Sequence, residues 1–274
     1  MNESYLAPPV LILSKDVLRG VFAAKRHKDF WTMLKKDRAV CLRTVDYSET
    51  SQVVTLFTSR AGKLSAIAKG SKRTRSAFDG PIEPFCFGDI VYSTGRGDKL
   101  ATLTEFEQRK GFLALRTNLA ALNCAYFGAE LLEAFTQPLD PHAELFDSFL
   151  QFLIDIAGAD SREGLGLLIL FQLTLLAEVG TKPLICECAN CHNPFRDKWR
   201  EIHFSSSANG LICPDCEQTF NDKVRLTTKA AAALNDINLI GVAEEKTLNE
   251  IEKALIYHFT ELMHRRPKTA KFLL

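Results

Sequence analysis

The sequence has no hydrophobic run long enough to cross a membrane. Its longest apolar stretch, residues 165–176, contains Gly166, Gln172 and Thr174, and it is shorter than the roughly eighteen apolar residues that a spanning helix requires. A secretory signal peptide is also missing, because the apolar run after Pro9 is short and no basic region precedes it. We therefore predict a buried helix at 165–176 and no membrane partner.

The cysteines do not have the arrangement of a disulfide framework. Cys41, Cys86 and Cys124 are isolated in apolar surroundings, where a free cysteine usually behaves as a small buried hydrophobic residue. Without disulfides or a signal peptide, we expect reduced thiols, which are typical of the cytosol. The sequence thus predicts a cytoplasmic protein.

Acidic residues are missing from one segment. Between positions 60 and 78 there is no Asp or Glu, although the formal net charge of the chain is only +1. The cationic residues of this segment are Arg60, Lys63, Lys69, Lys72, Arg73 and Arg75. Clustered charge of one sign favours contact with the phosphates of a nucleic acid, and a solvated face or loop is the alternative. A Walker loop is excluded, since KGSKR lacks the required glycine spacing.

The chain contains two CxxC pairs, formed by Cys188, Cys191, Cys213 and Cys216. Two such pairs can supply four thiolates to one tetrahedral ion, usually zinc. Four sulfurs leave no position for water, so we predict one structural zinc rather than a catalytic one. A redox dithiol is the alternative, but it requires only one pair.

Gly210 suits a tight turn before the second pair. Whether Cys186, His192 or His203 can replace a ligand stays open.

The apolar pattern divides the chain into two parts. From residue 39 to about residue 105, five short strand-like runs are separated by stretches rich in turn residues, one of them GRGD. These runs predict a small five-stranded barrel at 33–110. Helical periodicity begins after Gly111, which predicts an α-helical domain at 111–274 with the cysteine ribbon inserted at 186–217.

Apolar stripes and caps predict individual helices. One stripe consists of Phe112, Leu115, Leu119, Leu122 and Tyr126. A second consists of Leu145, Phe149, Leu153 and Ile156. Capping-box spacing occurs twice, in the pairs Asp160 with Glu163 and Thr247 with Glu250. The second pair opens a third stripe, formed by Leu248, Ile251, Leu255, Phe259 and Leu262.

A barrel with a cationic strand and loop is a common platform for nucleic acid, whose bases can stack on aromatic side chains. The aromatic residues within reach in sequence are Phe57, Phe78, Phe85, Phe87 and Tyr92. Because an alternating strand buries every second residue, we expect most of them to lie in the core.

The succession LRTVDYSETSQVVTLFTSRAGKLSAIAKGSKRTRS is followed by PFCFGDIVY and, in the helical part, by CxxC with GLICPDC. Together these motifs resemble the RecO family of bacterial recombination and repair proteins. The likeness runs over most of the chain from about residue 38 onward. It implies an α+β protein, with an N-terminal five-stranded OB-fold barrel followed by an α-helical domain that carries an inserted four-cysteine zinc ribbon.

The resemblance also implies a function. RecO proteins are not enzymes: they bind single- and double-stranded DNA, anneal complementary strands coated with single-strand-binding protein, and help RecR load RecA. A protein of this kind acts in the cytoplasm, at the nucleoid. Carried over by position, Arg43, Lys63, Lys69, Lys72 and Arg73 become candidate DNA contacts, and the four CxxC cysteines become zinc ligands. Arg60 and Arg75 join the candidate contacts because they belong to the same charge cluster.

Residues 1–32 depart from the family pattern, because RecO proteins usually begin close to the first strand. Either Met33 is the true start, or the segment is a basic arm that includes KRHK at 25–28. The sequence does not decide between them.

Two other functions fit parts of the sequence. His142 and Glu144 form the HxE motif of zinc-dependent nucleobase deaminases. However, no proline precedes either CxxC pair, and a second pair would saturate the metal. Pro141 and His142 also suit the start of a helix, whose dipole Glu144 would complement. The other alternative is a zinc-ribbon regulator that binds RNA or protein, which would lack strand-annealing activity.

Overall fold

The computed structural model describes residues 33–94, 100–110 and 112–273. Residues 34–274 form one compact unit. The N-terminal extension at 1–32, the GRGD turn at 95–98 and the boundary residue Gly111 lie outside the described residues.

Five strands form a closed barrel in the order β1-β2-β3-β5-β4. Their bounds are β1 Leu34–Asp46, β2 Gln52–Thr58, β3 Gly62–Ala68, β4 Phe87–Ser93 and β5 Ala101–Lys110. All neighbouring strands are antiparallel except β3 and β5, whose parallel pairing closes the barrel. The predicted five-stranded OB-type barrel is confirmed.

Side chains that point inward at every second strand position fill the barrel. Along β3, Leu64, Ala66 and Ala68 are buried, whereas Ser65 is exposed. Such a period of two is expected for a strand with one face in a core. The interior is closed by apolar residues from all five strands, which include Val54, Leu56, Ile90, Tyr92, Leu103 and Phe106.

The outer face of β2 packs against the helices. The ring centroids of Phe57 and Phe146 are 6.0 Å apart, and those of Phe87 and Phe146 are 6.5 Å apart. Phe57 therefore belongs to the same apolar core as the helices.

Within the described part of the chain, five α-helices follow the barrel. Their bounds are α1 Leu119–Phe135, α2 Ala143–Ile156, α3 Ser161–Glu178, α4 Thr228–Asn235 and α5 Glu245–Met263. Short 3-10 turns occur at Leu113–Arg116, Pro214–Thr219, Ile237–Val242 and Thr269–Phe272. None of the helices within the described residues has both the length and the apolar composition that crossing a bilayer requires.

Several helix predictions are confirmed. All four residues of the second stripe are buried on α2. The Asp160 and Glu163 side chains form a reciprocal capping box at the start of α3. This helix contains the apolar stretch at 165–176, most of which is buried as expected. Cys41, Cys86 and Cys124 are buried free thiols.

Two helix predictions are wrong. The first stripe does not form one face, because the chain bends between the 3-10 turn and α1, and Leu119 is left 72% exposed. Thr247 is not a cap, since α5 begins earlier, at Glu245. The Glu250 carboxylate instead accepts hydrogen bonds from the backbone and hydroxyl of Thr227, which is the N-cap of α4.

A small antiparallel sheet of three strands lies between α3 and α4 in sequence. It consists of β6 Ile202–Ser205, β7 Gly210–Ile212 and β8 Lys223–Leu226, in the order β7-β6-β8. The Cys213–Cys216 pair directly follows β7, so this sheet positions one half of the predicted metal site.

Candidate metal centre and nucleic-acid interface

The four CxxC cysteines meet at one point. The sulfur atoms of Cys188, Cys191, Cys213 and Cys216 all lie within 4.8 Å of one another, and those of Cys191 and Cys213 are 3.7 Å apart. Four sulfurs around one zinc at about 2.3 Å would be about 3.8 Å apart. The cluster therefore has the donor set and the spacing to hold one metal ion.

Local backbone geometry prepares the cluster for negative charge. The backbone N–H of Cys213 donates to Cys188 Sγ at 3.4 Å, and the Asn190 side chain donates to Cys216 Sγ at 3.2 Å. Burial opposes charge on Cys188, but hydrogen bonds from the amides of Cys191, Cys213 and Asn190 outweigh it and lower its pKa to about 7. Burial and the neighbouring sulfurs raise the pKa of Cys213 to about 12. Four thiols this close cannot all ionise alone, whereas a bound cation would displace their protons.

Cys186 and the two histidines lie outside the cluster. Cys186 is exposed, and His192 Nδ1 contacts Glu187 Oε1 at 2.8 Å. His203 lies on β6, with Nε2 3.9 Å from Glu217 Oε1. None of the three is among the residues that could hold the metal.

Gly210 is required for a different reason than the predicted one. The left-handed residue of this turn is Asn209, with φ of 52°. Gly210 instead lies against the backbone of Leu184, and an added Cβ would collide with the Leu184 carbonyl oxygen. The contact is part of a bridge in which Leu211 N donates to Leu184 O at 2.9 Å. Glycine therefore allows the chain that enters the first CxxC pair to pack against β7.

Part of the cationic segment forms a loop with a fixed base. In this basic loop, residues 69–75, the Ser71 side chain is fully buried and donates to Gln52 Oε1 at 2.9 Å. Gly70 N donates to Ser51 Oγ at 3.1 Å, and Lys72 N donates to Thr50 O at 3.1 Å. These bonds hold the basic loop against the β1–β2 turn, residues 47–51.

The charges of the basic loop point to solvent. Lys69, Arg73 and Arg75 are exposed, and no carboxylate of residues 33–94, 100–110 or 112–273 forms an ion pair with them. Lys72 differs, because its ammonium group contacts Asp46 Oδ2 at 2.8 Å. The β1–β2 turn contributes one acidic residue, Glu49. The two loops together therefore carry an excess of positive charge.

Comparison with known proteins identifies the family of the chain. The family model described as "Recombination protein O N terminal" matches residues 33–112, and "Recombination protein O C terminal" matches residues 116–270. The chain belongs to the RecO family of DNA repair proteins.

Three relatives named "DNA repair protein RecO" illustrate the similarity. The protein of Bacillus pumilus is 30% identical over 249 residues, which cover 88% of this chain and 94% of the relative. The Rhodopirellula baltica protein is 32% identical, over 73% of each chain. The Alkaliphilus metalliredigens protein is 31% identical, over 81% of this chain and 85% of the relative.

The other predicted contacts of this RecO-family chain lie elsewhere on the barrel. Arg60 is on the β2–β3 turn, at the opposite end of β2 from the basic loop. A seven-residue strand is about 23 Å long, so Arg60 and the basic loop do not form one patch. Arg43 on β1 pairs with Glu133 of α1 at 3.3 Å. Lys63 is turned toward the end of α1, where its ammonium group donates to the carbonyl oxygens of Glu133 and Thr136.

The aromatic residues considered for base stacking belong to the interior. Phe57, Phe78, Phe85 and Tyr92 are buried, and Phe87 packs on Phe146. The sequence reasoning missed Tyr47, which is 67% exposed on the turn that holds the basic loop. Its signal was its place in DYSET, a turn between two strands, where side chains need not enter the core.

Proposed function

We propose that the chain is a non-enzymatic mediator of DNA repair and homologous recombination. It binds single- and double-stranded DNA, anneals complementary strands coated with single-strand-binding protein, and helps RecR load RecA. We further propose that it works in the cytoplasm at the nucleoid, with residues 33–110 as the DNA-binding domain and residues 111–274 as the helical domain.

One observation carries the DNA-binding part of the proposal. Lys69, Arg73 and Arg75 are exposed without carboxylate partners among the described residues, on a loop whose base is buried through Ser71. Exposed, uncompensated cations attract phosphates, and a fixed loop loses little entropy when it binds them. Lys72 has a supporting role, because its contact with Asp46 ties the loop to β1.

We assign Lys63 and Arg43 a lower priority as DNA contacts. The Lys63 ammonium group is occupied by two carbonyl oxygens of the chain itself, and Arg43 pairs with Glu133. Binding a phosphate there would first require these bonds to break.

The metal in this proposal is a structural Zn²⁺ held by Cys188, Cys191, Cys213 and Cys216, one per chain. The closely spaced sulfurs support it, since four thiolates form a closed site without a position for water. Its contribution is to the stability of the ribbon, and DNA binding is assigned to the barrel.

A strand-annealing assay on oligonucleotides precoated with single-strand-binding protein tests the function directly. We expect the parent protein to accelerate annealing of complementary strands and not of unrelated ones. The proposal would be contradicted if this chain bound RNA or another protein through its ribbon and did not anneal DNA.

The charge contribution is tested with Lys69→Ala, Arg73→Ala, Arg75→Ala in one variant. Each phosphate that a cation neutralises on a single strand adds about 0.7 to the steepness of log affinity against log salt, so removing these three cations should flatten the slope by roughly two. A matched control removes three exposed lysines of α4 and α5, Lys229, Lys246 and Lys253. Equal salt slopes in the two variants would show that the basic loop does not bind phosphates.

A further inference from the structure

We propose that Tyr47 stacks on an unpaired nucleobase and makes the barrel surface select single strands over duplexes. This inference rests on the proposed DNA-binding function and adds to it a residue and a basis for strand discrimination. The phosphate contacts of the basic loop cannot supply such discrimination, since both kinds of strand carry phosphates.

Tyr47 is held in an ordered turn with its side chain in solvent. Its backbone N–H donates to Ser51 O at 2.9 Å, and Ser51 Oγ accepts from Gly70 N at 3.1 Å. The side chain is nevertheless 67% exposed. An exposed ring on a hydrogen-bonded turn is a flat surface that needs little ordering before it binds.

Strand register relates Tyr47 to the first cation of the basic loop. Asp46 pairs with Gln52, and Gln52 pairs with Ala68. The next row beyond these pairs consists of Tyr47, Ser51 and Lys69. The backbones of Tyr47 and Lys69 are two interstrand spacings apart, which is about 10 Å. A ring and an ammonium group thus lie on neighbouring parts of one surface.

The outer faces of the same strands are apolar next to Tyr47. Val45 is 50% exposed, and it pairs across the sheet with Val53, which in turn pairs with Ile67. Val53 and Ile67 are both partly exposed. By alternation along the strands, Val45 shares a face with Tyr47, and Ile67 shares a face with Lys69. The surface therefore combines an aromatic ring and aliphatic side chains with cations at its edge.

This combination fits a single strand better than a protein or a duplex. Single-strand sites pair cationic grooves with aromatic rings on which bases stack, without preference for sequence. Lys69, Arg73 and Arg75 favour a polyanion as the occupant. In a duplex the bases are already stacked and paired, and exposing one costs a few kcal/mol. A duplex can therefore reach the cations but not the Tyr47 ring.

Annealing removes the base on which Tyr47 stacks. A strand that has paired with its complement no longer offers an unstacked base to this ring. The affinity of the surface consequently falls when the duplex forms, which favours release of the product.

The test compares the parent with three variants, Tyr47→Ala, Tyr47→Phe and Tyr47→Trp. The ligands are a 20-nucleotide single strand of mixed sequence and the duplex that it forms with its complement. A strand of about this length spans one or two such sites. We expect Tyr47→Ala to lose about 5- to 150-fold in single-strand affinity, with an unchanged duplex affinity and salt slope. Tyr47→Phe should bind like the parent because it keeps the ring. The added indole of Tyr47→Trp should be quenched by the single strand and not by the duplex. Phe272→Ala removes another exposed aromatic ring and serves as the matched control.

The outcomes separate this inference from the function on which it rests. If the parent binds DNA and the triple cation variant binds weakly, but Tyr47→Ala behaves like the parent, the stacking role is wrong. Equal losses on single strand and duplex in a folded Tyr47→Ala protein would also overturn it. A parent protein that binds neither form of DNA would instead refute the proposed function. Circular dichroism melting of each variant checks that the fold is intact.

Discussion

The ammonium group of Lys63, on β3, donates a hydrogen bond of 2.6 Å to the carbonyl oxygen of Thr136, the C-cap residue of α1. A second bond from the same group reaches Glu133 O. The last turn of α1 contains no basic residue of its own, and a cation near a helix C-terminus is favourable. The barrel therefore supplies the charge that caps this helix.

Lys63→Ala should destabilise the fold more than it weakens DNA binding. It would remove hydrogen bonds from a charged donor and leave carbonyl oxygens unpaired, at a cost of about 1.5 to 3 kcal/mol. Lys69→Ala, an exposed lysine on the following loop, should change stability by less than about 0.5 kcal/mol. Urea unfolding of both variants measures the difference. Equal stabilities would show that the capping bonds contribute nothing net.

Purified protein should contain about one zinc per chain, and the Cys213→Ser, Cys216→Ser variant should lose it. Cys186→Ser is the matched control, because Cys186 is an exposed ribbon cysteine outside the cluster. Elemental analysis after chelator treatment measures the metal. Full zinc content in the double variant, or loss of zinc in the control, would contradict the ligand set.

Glu252 should make stability fall as pH rises. Burial raises its pKa from 4.5 to about 8, and a single hydrogen bond from Gln172 Nε2 at 2.8 Å only partly offsets this. Between these two pH values the unfolded chain releases the proton and the folded protein keeps it. The free energy of unfolding therefore falls by up to about 5 kcal/mol between pH 4.5 and pH 8. Below pH 4.5 this carboxyl group makes no pH-dependent contribution.

Glu252→Gln should remove this pH dependence. An amide stays neutral and can still bond to Gln172, whose Oε1 has no hydrogen-bond partner, like Oε1 of Glu252. Glu261→Gln changes an exposed carboxylate on the same helix and is the control. Thermal melts from pH 6.5 to pH 8 should show a falling Tm for the parent and control, and a flatter profile for Glu252→Gln. Below pH 6.5 the contribution of His258, whose burial lowers its pKa to about 4, changes stability in the opposite direction. Parallel profiles would disprove the assignment.

Glu144→Gln should leave DNA binding and annealing unchanged. Glu144 lies in the first turn of α2, which begins after His142. Its carboxylate therefore interacts favourably with the positive end of the helix dipole. No deamination of cytosine or adenine is expected from the parent. Nucleobase turnover that disappears in this variant would instead favour the deaminase alternative.

Local patterns were sufficient for much of the fold. The five short apolar runs separated by turn residues gave the strands, and the stripe on α2 gave a helix, because both patterns reflect local backbone geometry. The capping box of Asp160 and Glu163 formed as predicted, since its two bonds close within one turn. The same spacing at Thr247 and Glu250 failed, because Glu250 meets Thr227 from another helix.

By itself, the sequence determined the barrel and its order before the helices, and it named the four cysteines that meet in the ribbon. A CxxC spacing brings two sulfurs to one ion through local geometry alone, and the cluster followed from it. Only the tertiary structure decided which cations and aromatics face solvent. Lys63 and Lys69 both lie on the outward side of β3 or its extension, yet α1 covers the first and leaves the second free. Alternation states that a side chain points outward, and packing between distant elements decides whether it meets solvent or another part of the chain.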